Sequence, residues 1–191
     1  MTEDTQARSS VSWSRIARRI RVPLGFLFAV FYFWRARPDW ISLALGGVVA
    51  AAGVFFRAMA SGHVKKNEQL ATTGPYAYCR NPLYLGSIII AIGFAIGSRD
   101  FWVAIGIIGL FSAIYVPVIR GEETFLREKF AGFDDYAKRV PRMLPRFTAA
   151  RYGDDDGGFS MALYLKHREW NALLGSVLLA GALILKMTFL P

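Results

Sequence analysis

The sequence has 191 residues, of which 54% are hydrophobic, and carries a formal net charge of +9. This apolar fraction is too high for an ordinary soluble domain of that length, so the composition predicts a membrane protein. The basic residues lie between apolar stretches, which favours anionic lipid headgroups over nucleic acid as their partner. One cysteine excludes an intramolecular disulfide, and with only two histidines we expect no metal site.

Five apolar stretches predict an all-α, polytopic membrane bundle of about five transmembrane helices with additional interfacial amphipathic helices. The stretches cover residues 22–34, 40–60, 82–97, 101–119 and 170–190. The first is short, so it either spans with help from its flanking residues or is re-entrant. Arg57, near the end of the second, is expected to extend its side chain to the membrane surface. Only three residues join the third and fourth, which must therefore run antiparallel.

After residue 119 the pattern becomes amphipathic, with Phe125, Leu126, Phe130 and Phe133 spaced to cover one helix face. We expect the chain to leave the bilayer there, after a kink at Pro117. The sequence then divides into four regions. These are a basic N-terminal interfacial segment (residues 1–21), a first transmembrane hairpin (22–60), a central region of loop, two spans, interfacial helix and basic Pro-rich segment (61–147), and a flexible break with the C-terminal span (148–191).

The distribution of Lys and Arg predicts the orientation of the bundle. The sequence has 23 Lys and Arg residues. If the N-terminus is cytoplasmic, the segments outside the spans on the opposite side of the membrane carry only Arg35, Arg37 and Arg99. This asymmetry satisfies the positive-inside rule. The polar segments that flank the third and fourth spans then lie on the cytoplasmic side, where we expect the basic run at residues 138–147 to extend over the headgroups.

Two polar motifs border the third and fourth spans. The first reads TTGPYAYCRNPLYLG at residues 72–86, and the second reads RGEETFLREKFAGFDDYAKRVPRMLPRF at residues 120–147. Asn81 and Tyr84 are three residues apart and share one face of a helix that begins at Pro82. No glycine-rich turn after a strand is present, so any nucleotide-type cofactor needs a helical pocket.

Together the motifs resemble the isoprenylcysteine carboxyl methyltransferase and phospholipid methyltransferase superfamily of integral membrane enzymes. The matching residues are Gly74, Pro75, Tyr76, Arg80, Pro82, Tyr84, Glu122, Glu123, Phe130, Tyr136, Val140, Pro141 and Pro145. Asn81 stands where most members have His. The resemblance covers residues 61–147 and implies a methyltransferase core that uses S-adenosyl-L-methionine. The implied acceptor is lipid-like, such as the carboxylate of an isoprenylcysteine-type or prenylated small molecule.

The resemblance also implies roles for individual residues. The positions that contact the cofactor are Gln69, Leu70, Ala71, Tyr76, Asn81, Pro82, Leu83, Tyr84 and Glu122. Arg120 and Asn81 are the implied catalytic positions, because an arginine near residue 120 addresses the acceptor in relatives. Tyrosine rings attract a sulfonium cation, and a carboxylate binds a ribose diol or an ammonium group. Since helix neighbours differ by about 100°, we expect Glu122 rather than Glu123 to face the cofactor.

Other functions are compatible with the same residues. Tyrosines at membrane boundaries commonly anchor helices, and Cys79 has no His nearby to make it a nucleophile. One alternative is a non-enzymatic binding or assembly protein of the same fold, in which Asn81 marks lost catalysis. Another is a phospholipid amine N-methyltransferase, although an amine acceptor needs a base that Asn81 cannot supply. A transporter is disfavoured because the spans have almost no central ionisable residues. The oligomeric state stays open.

Overall fold

The computed structural model describes residue 20 and residues 23–65, 68–150 and 158–189. Most of the predicted N-terminal segment and of the predicted flexible break lies outside them. The described residues form an all-helical bundle of seven α-helices and one 3-10 turn. The helices are α1 (Pro23–Arg35), α2 (Trp40–Ser61), α3 (Pro82–Ser98), α4 (Phe101–Lys129), α5 (Phe133–Arg139), α6 (Met161–Lys166) and α7 (Trp170–Phe189), and the 3-10 turn is Gly74–Ala77.

Each of the five predicted spans lies on a helix. In the part of the chain that the structure describes, α2, α4 and α7 are long and apolar enough to cross a membrane, and α1 and α3 are shorter apolar helices. Many of their large apolar side chains face outward, as the lipid-facing surface of a bundle requires. These apolar helices are consistent with an integral, multi-pass membrane protein.

α4 is longer than the apolar pattern predicted. It continues through Pro117 as one helix of 29 residues, so the expected separate interfacial helix after residue 119 is the final part of α4. A helix of this length extends about 44 Å, whereas the hydrocarbon core is about 30 Å thick. The change from apolar to amphipathic pattern therefore marks where α4 leaves the membrane, not where the helix ends.

Glycines allow α2 and α3 to pack with their backbones in contact. A Cβ atom on Gly93 would lie 2.5 Å from the backbone nitrogen of Ala50, and one on Gly53 would lie 2.8 Å from the carbonyl oxygen of Gly86. Any larger residue at either glycine would force the helices apart. This close pairing fixes the beginning of α3 against the end of α2.

Arg57 points into the bundle, so the predicted extension to the membrane surface was wrong. Its Nε and Nη2 donate to Oε2 of Glu169 at 3.1 and 2.7 Å, and its Nη1 donates to the Leu83 carbonyl at 3.2 Å and to the Ser87 hydroxyl. Gly86 leaves room for the side chain, because a Cβ there would lie 2.5 Å from Cγ of Arg57. The partner carboxylate is 112 positions away in sequence, which no local pattern indicates.

The opposite end of the bundle is held by charged side chains. Asp39 and Asp100 cap the first turns of α2 and α4, and they pair with Arg99 and Arg35 respectively. The pKa of both carboxyl groups is lowered. For Asp39 the main cause is the hydrogen bond from the Ser42 backbone, whereas for Asp100 desolvation raises the pKa and is outweighed by the hydrogen bonds from Arg35 and from the Val103 backbone. These contacts join the two interhelical loops on the side away from the sequence motifs.

Candidate functional site

The first motif forms a tight turn that leads into α3. Gly74 has a φ of +57°, and a Cβ there would lie 2.6 Å from Nε2 of His63, so both conformation and space favour glycine. Pro75 lies at the start of the 3-10 turn and Pro82 at the start of α3, where a missing N–H removes no helical hydrogen bond. The turn thereby sets Tyr76 next to the first residues of α3.

The second motif lies directly over the first. Two backbone hydrogen bonds join them, from Arg80 to Pro141 at 2.9 Å and from Arg146 to Tyr78 at 3.0 Å, and Ala150, three residues after the second motif, donates to Ala77 at 2.9 Å. The Tyr136 hydroxyl also donates to the Tyr76 carbonyl at 2.7 Å. Burial raises the pKa of both Tyr76 and Tyr136 well above the usual tyrosine value, so both rings stay neutral. The two motifs therefore form one structural unit.

A cavity of about 480 Å³ lies between the motifs, and we call it the polar cavity. Its lining includes all nine residues predicted to contact a cofactor, namely Gln69, Leu70, Ala71, Tyr76, Asn81, Pro82, Leu83, Tyr84 and Glu122. Arg80, Glu123, Phe125 and Tyr136 also line it. Arg120 is not among the lining residues and lies on the exposed surface of α4. The cavity thus combines aromatic rings, apolar side chains and charges of both signs.

Glu123 is the buried carboxylate of this cavity, with 4% of its surface exposed. Its Oε2 accepts from Nε and Nη2 of Arg142 at 2.9 and 2.6 Å. Its Oε1 accepts from Nδ2 of Asn81 at 3.1 Å and lies 3.6 Å from Nη1 of Arg80. Glu122, by contrast, is exposed at the cavity. These contacts of Glu123 were not predicted from the sequence, although the arginines in the two motifs are possible partners for a Glu pair.

The Asn81 side chain is held in one orientation. Its Nδ2 donates to Oε1 of Glu123 at 3.1 Å and to the Arg142 carbonyl at 3.2 Å, which uses both amide hydrogens. A neutral histidine has only one N–H and could not make both bonds. Asn81 joins the start of α3 to Glu123 and to the second motif, and as an amide it cannot take up a proton.

Cys79 is buried beside the cavity-forming turn, and nothing in its surroundings activates it. The side chain is 0% exposed, and burial raises the pKa of its thiol to about 11. The thiol is therefore protonated at neutral pH, which agrees with the inert role predicted for it. Within the described residues, no group of three or more His, Cys, Asp or Glu side chains is arranged to hold a metal ion.

A second cavity, of about 390 Å³, lies among α1, α3, α4 and α7, and we call it the apolar cavity. Its walls are mainly apolar and include Phe28, Ile90, Ala91, Phe94, Ile107, Leu110 and Leu179, with Arg57, Ser87 and Asn171 as polar members. Tyr115 lines this cavity, while Tyr84 lines the polar one. The rings of Tyr84 and Tyr115 meet edge to face with centroids 5.6 Å apart. This aromatic contact lies between the two cavities.

Comparison with known proteins gives a family match and two similar curated proteins. The family profile described as phospholipid methyltransferase matches residues 20–132, which end just before α5. The nickel-cobalt-cadmium resistance protein NccN of Alcaligenes xylosoxydans xylosoxydans is 36% identical over 119 residues, covering 59% of this chain and 55% of that protein. The cobalt-zinc-cadmium resistance protein CzcN of Cupriavidus metallidurans is 32% identical over 138 residues, covering 69% and 64%. The matched region is thus less than two thirds of either relative. No solved structure matches the chain.

Proposed function

The chain belongs to the phospholipid methyltransferase family, and we propose that it is a membrane-embedded methyltransferase that uses S-adenosyl-L-methionine and acts on a lipid-like acceptor. The observation that carries this proposal is the polar cavity, which gathers all nine residues expected to contact the cofactor from two separate motifs. Its volume of about 480 Å³ lies within the roughly 300–1,000 Å³ of small-molecule sites.

The lining suits each part of such a cofactor. Tyr76 and Tyr84 offer ring faces for adenine or for the sulfonium cation. Glu122 offers an accessible carboxylate for the ribose diol or the ammonium group, because its neighbour Glu123 is committed to Arg142 and Asn81. When bound, the cofactor supplies an electrophilic methyl group on sulfur. The residues of the cavity would orient the acceptor and exclude water.

The absence of a base at position 81 bears on the acceptor. Methyl transfer to an acceptor carboxylate would release no proton, so such an acceptor would need no base. An amine or hydroxyl acceptor must lose a proton, and Asn81 cannot accept it. We therefore favour a carboxylate over the alternative, a phospholipid amine, for which the exposed Glu122 is the carboxylate best placed to act as base.

Cofactor binding tests the proposal. Titration calorimetry on the full chain in detergent is expected to show binding of S-adenosylmethionine and of its demethylated product. Tyr84→Ala should weaken the affinity, because it removes a ring face worth about 0.5–2 kcal/mol. Glu128→Ala is the matched control, since Glu128 is exposed on α4 and does not line the polar cavity. The absence of both binding heat and thermal stabilisation at millimolar ligand would refute the enzymatic function.

The acceptor is proposed to enter from the bilayer, with its chain in the apolar cavity and its head beneath Tyr84 and Tyr115. Ala91→Trp, which fills part of that cavity, should then lower kcat/KM for a long-chain acceptor. Excluding three methylenes at about 0.8 kcal/mol each corresponds to roughly a 50-fold loss. Turnover of a water-soluble acceptor with the same head should change little. Ile92→Trp, on the exposed face, is the control; equal losses for both acceptors would exclude entry through this cavity.

A second candidate, a role in metal resistance, is favoured only by the similarity to the resistance proteins NccN and CzcN. It is compatible with methyl transfer and also with a non-enzymatic assembly role. Growth of a deletion strain on cadmium or cobalt, complemented with the wild type or with Glu122→Ala, separates these possibilities. If resistance requires Glu122, methylation serves it; if the variant complements fully, the protein acts without the proposed chemistry.

The positive-inside charge distribution leads us to propose that this site faces the cytoplasm.

A further inference from the structure

The segment from residue 138 to residue 147, which we call the basic loop, exposes two large apolar side chains outside the membrane helices. Leu144 is 80% exposed and Phe147 is fully exposed. This exposure is selective, because Phe133, Tyr136 and Val140 in the same region are at most 2% exposed and form a packed cluster. Phe133 and Tyr136 of α5 and Val140 of the loop are therefore buried together, while the loop presents Leu144 and Phe147 outward.

The basic loop is held at the level where a membrane helix begins. The Arg80 backbone N–H donates to the Pro141 carbonyl at 2.9 Å, and the Arg146 N–H donates to the Tyr78 carbonyl at 3.0 Å. Arg80 and Tyr78, the two residues of the first motif in these bonds, lie within four positions of Pro82, the first residue of the apolar helix α3. Leu144 and Phe147 are thus held beside the first turn of α3, not on a free tail.

The same loop is strongly basic. It carries Lys138, Arg139, Arg142 and Arg146, and the sequence from residue 138 to residue 150 contains no Asp or Glu. The Arg146 guanidinium donates to the Arg139 carbonyl at 2.8 Å, which braces the loop internally. Exposed apolar side chains next to cations are the pattern by which a segment binds an anionic lipid surface.

We propose that the basic loop is a docking surface for an anionic membrane leaflet. Leu144 and Phe147 insert at the boundary between headgroups and acyl chains, and Arg139 and Arg146 lie against lipid phosphates, whereas Lys138 is paired with Asp135. Because Arg142 of this loop also binds Glu123 in the wall of the polar cavity, docking holds that wall against the lipid surface. The surface has this role whichever molecule the cavity binds, so its test is independent of methyl transfer.

Spin-label accessibility in nanodiscs tests the docking. Phe147→Cys is labelled in the full chain, in discs of phosphatidylcholine alone or mixed with phosphatidylglycerol. Cys79 is fully buried, and labelling of the wild type measures any background from it. The label at position 147 should be relaxed more by oxygen than by a water-soluble nickel chelate, and the difference should grow with phosphatidylglycerol. A label introduced by Asp135→Cys, on the exposed surface of α5, should show the reverse preference.

The charge contribution is tested with Arg139→Gln/Arg146→Gln in the Phe147→Cys background. The double variant should lose the increase caused by phosphatidylglycerol but keep its thermal unfolding temperature. Equal chelate accessibility at positions 147 and 135 in both kinds of disc would overturn the proposal. Protection of the label at position 147 from the chelate that is the same in detergent and in both lipid mixtures would also overturn it. Protection that rises with protein concentration would do the same, since either result indicates a protein partner.

Discussion

Arg57→Ala is expected to destabilise the protein by about 3–5 kcal/mol, because it leaves the Glu169 carboxylate buried without its partner. The two side chains are only 22% and 10% exposed, and the shorter N–O distance between them is 2.7 Å. Thermal or denaturant unfolding in detergent measures the loss. Arg99→Ala is a matched control, because its pair with Asp39 is 56% and 44% exposed, so water screens the two charges and the loss should be much smaller.

The same substitution should also affect the polar cavity. Arg57 donates to the Leu83 carbonyl at 3.2 Å, and Leu83 lies in the first turn of α3 beside Tyr84. We expect weaker cofactor affinity for Arg57→Ala. Arg57→Lys should restore it in part, because lysine keeps the charge but cannot make the paired Nε and Nη2 hydrogen bonds to Glu169. In the double variant with Glu169→Ala the destabilisation should be smaller than the sum of the single effects. Additive, small losses would show that the pair is weakly coupled.

The helical spans could be predicted from the sequence because a membrane imposes one requirement on every residue of a span. Apolar length and turn residues locate such segments whatever packs beside them. The exact end of α4 could not be predicted in this way. The amphipathic spacing after residue 119 predicted a helix there, but a helix needs no apolar residues to continue into water, so the pattern did not show that this helix is one with the fourth span and runs to Lys129.

The site was predictable only in part, for a related reason. The resemblance of the two motifs to a known family predicted nine residues that line one cavity. Most of these residues are positioned by the local turn and by one face of α3. Ion pairs between distant segments carry no such local signal. The partners of Glu123 and Arg57 depend on how the second motif and α7 fold back on α3. Arg120 is the first residue of the second motif, but it is exposed and does not line the cavity.

Glu122→Ala and Glu123→Ala are expected to fail in different ways. Glu123 binds Arg142, Asn81 and Arg80, of which Arg80 is only 13% exposed, so its loss leaves a buried cation without a carboxylate. Water can reach the half-exposed Arg142, which reduces the penalty to about 2–3 kcal/mol. Cofactor binding should fall as well, because Asn81 and the second motif lose the group that joins them.

Glu122→Ala should leave unfolding within about 0.5 kcal/mol of wild type, because this side chain is exposed. Its affinity for S-adenosylmethionine should fall about 10- to 100-fold, the loss expected for a charge-assisted hydrogen bond worth about 1.5–3 kcal/mol. Calorimetric titration and thermal unfolding of both variants decide the assignment. If Glu122→Ala unfolds as easily as Glu123→Ala, the pair is structural. If Glu123→Ala keeps its stability and alone loses the cofactor, then Glu123 is the ligand, and the prediction that Glu122 faces the cofactor is wrong.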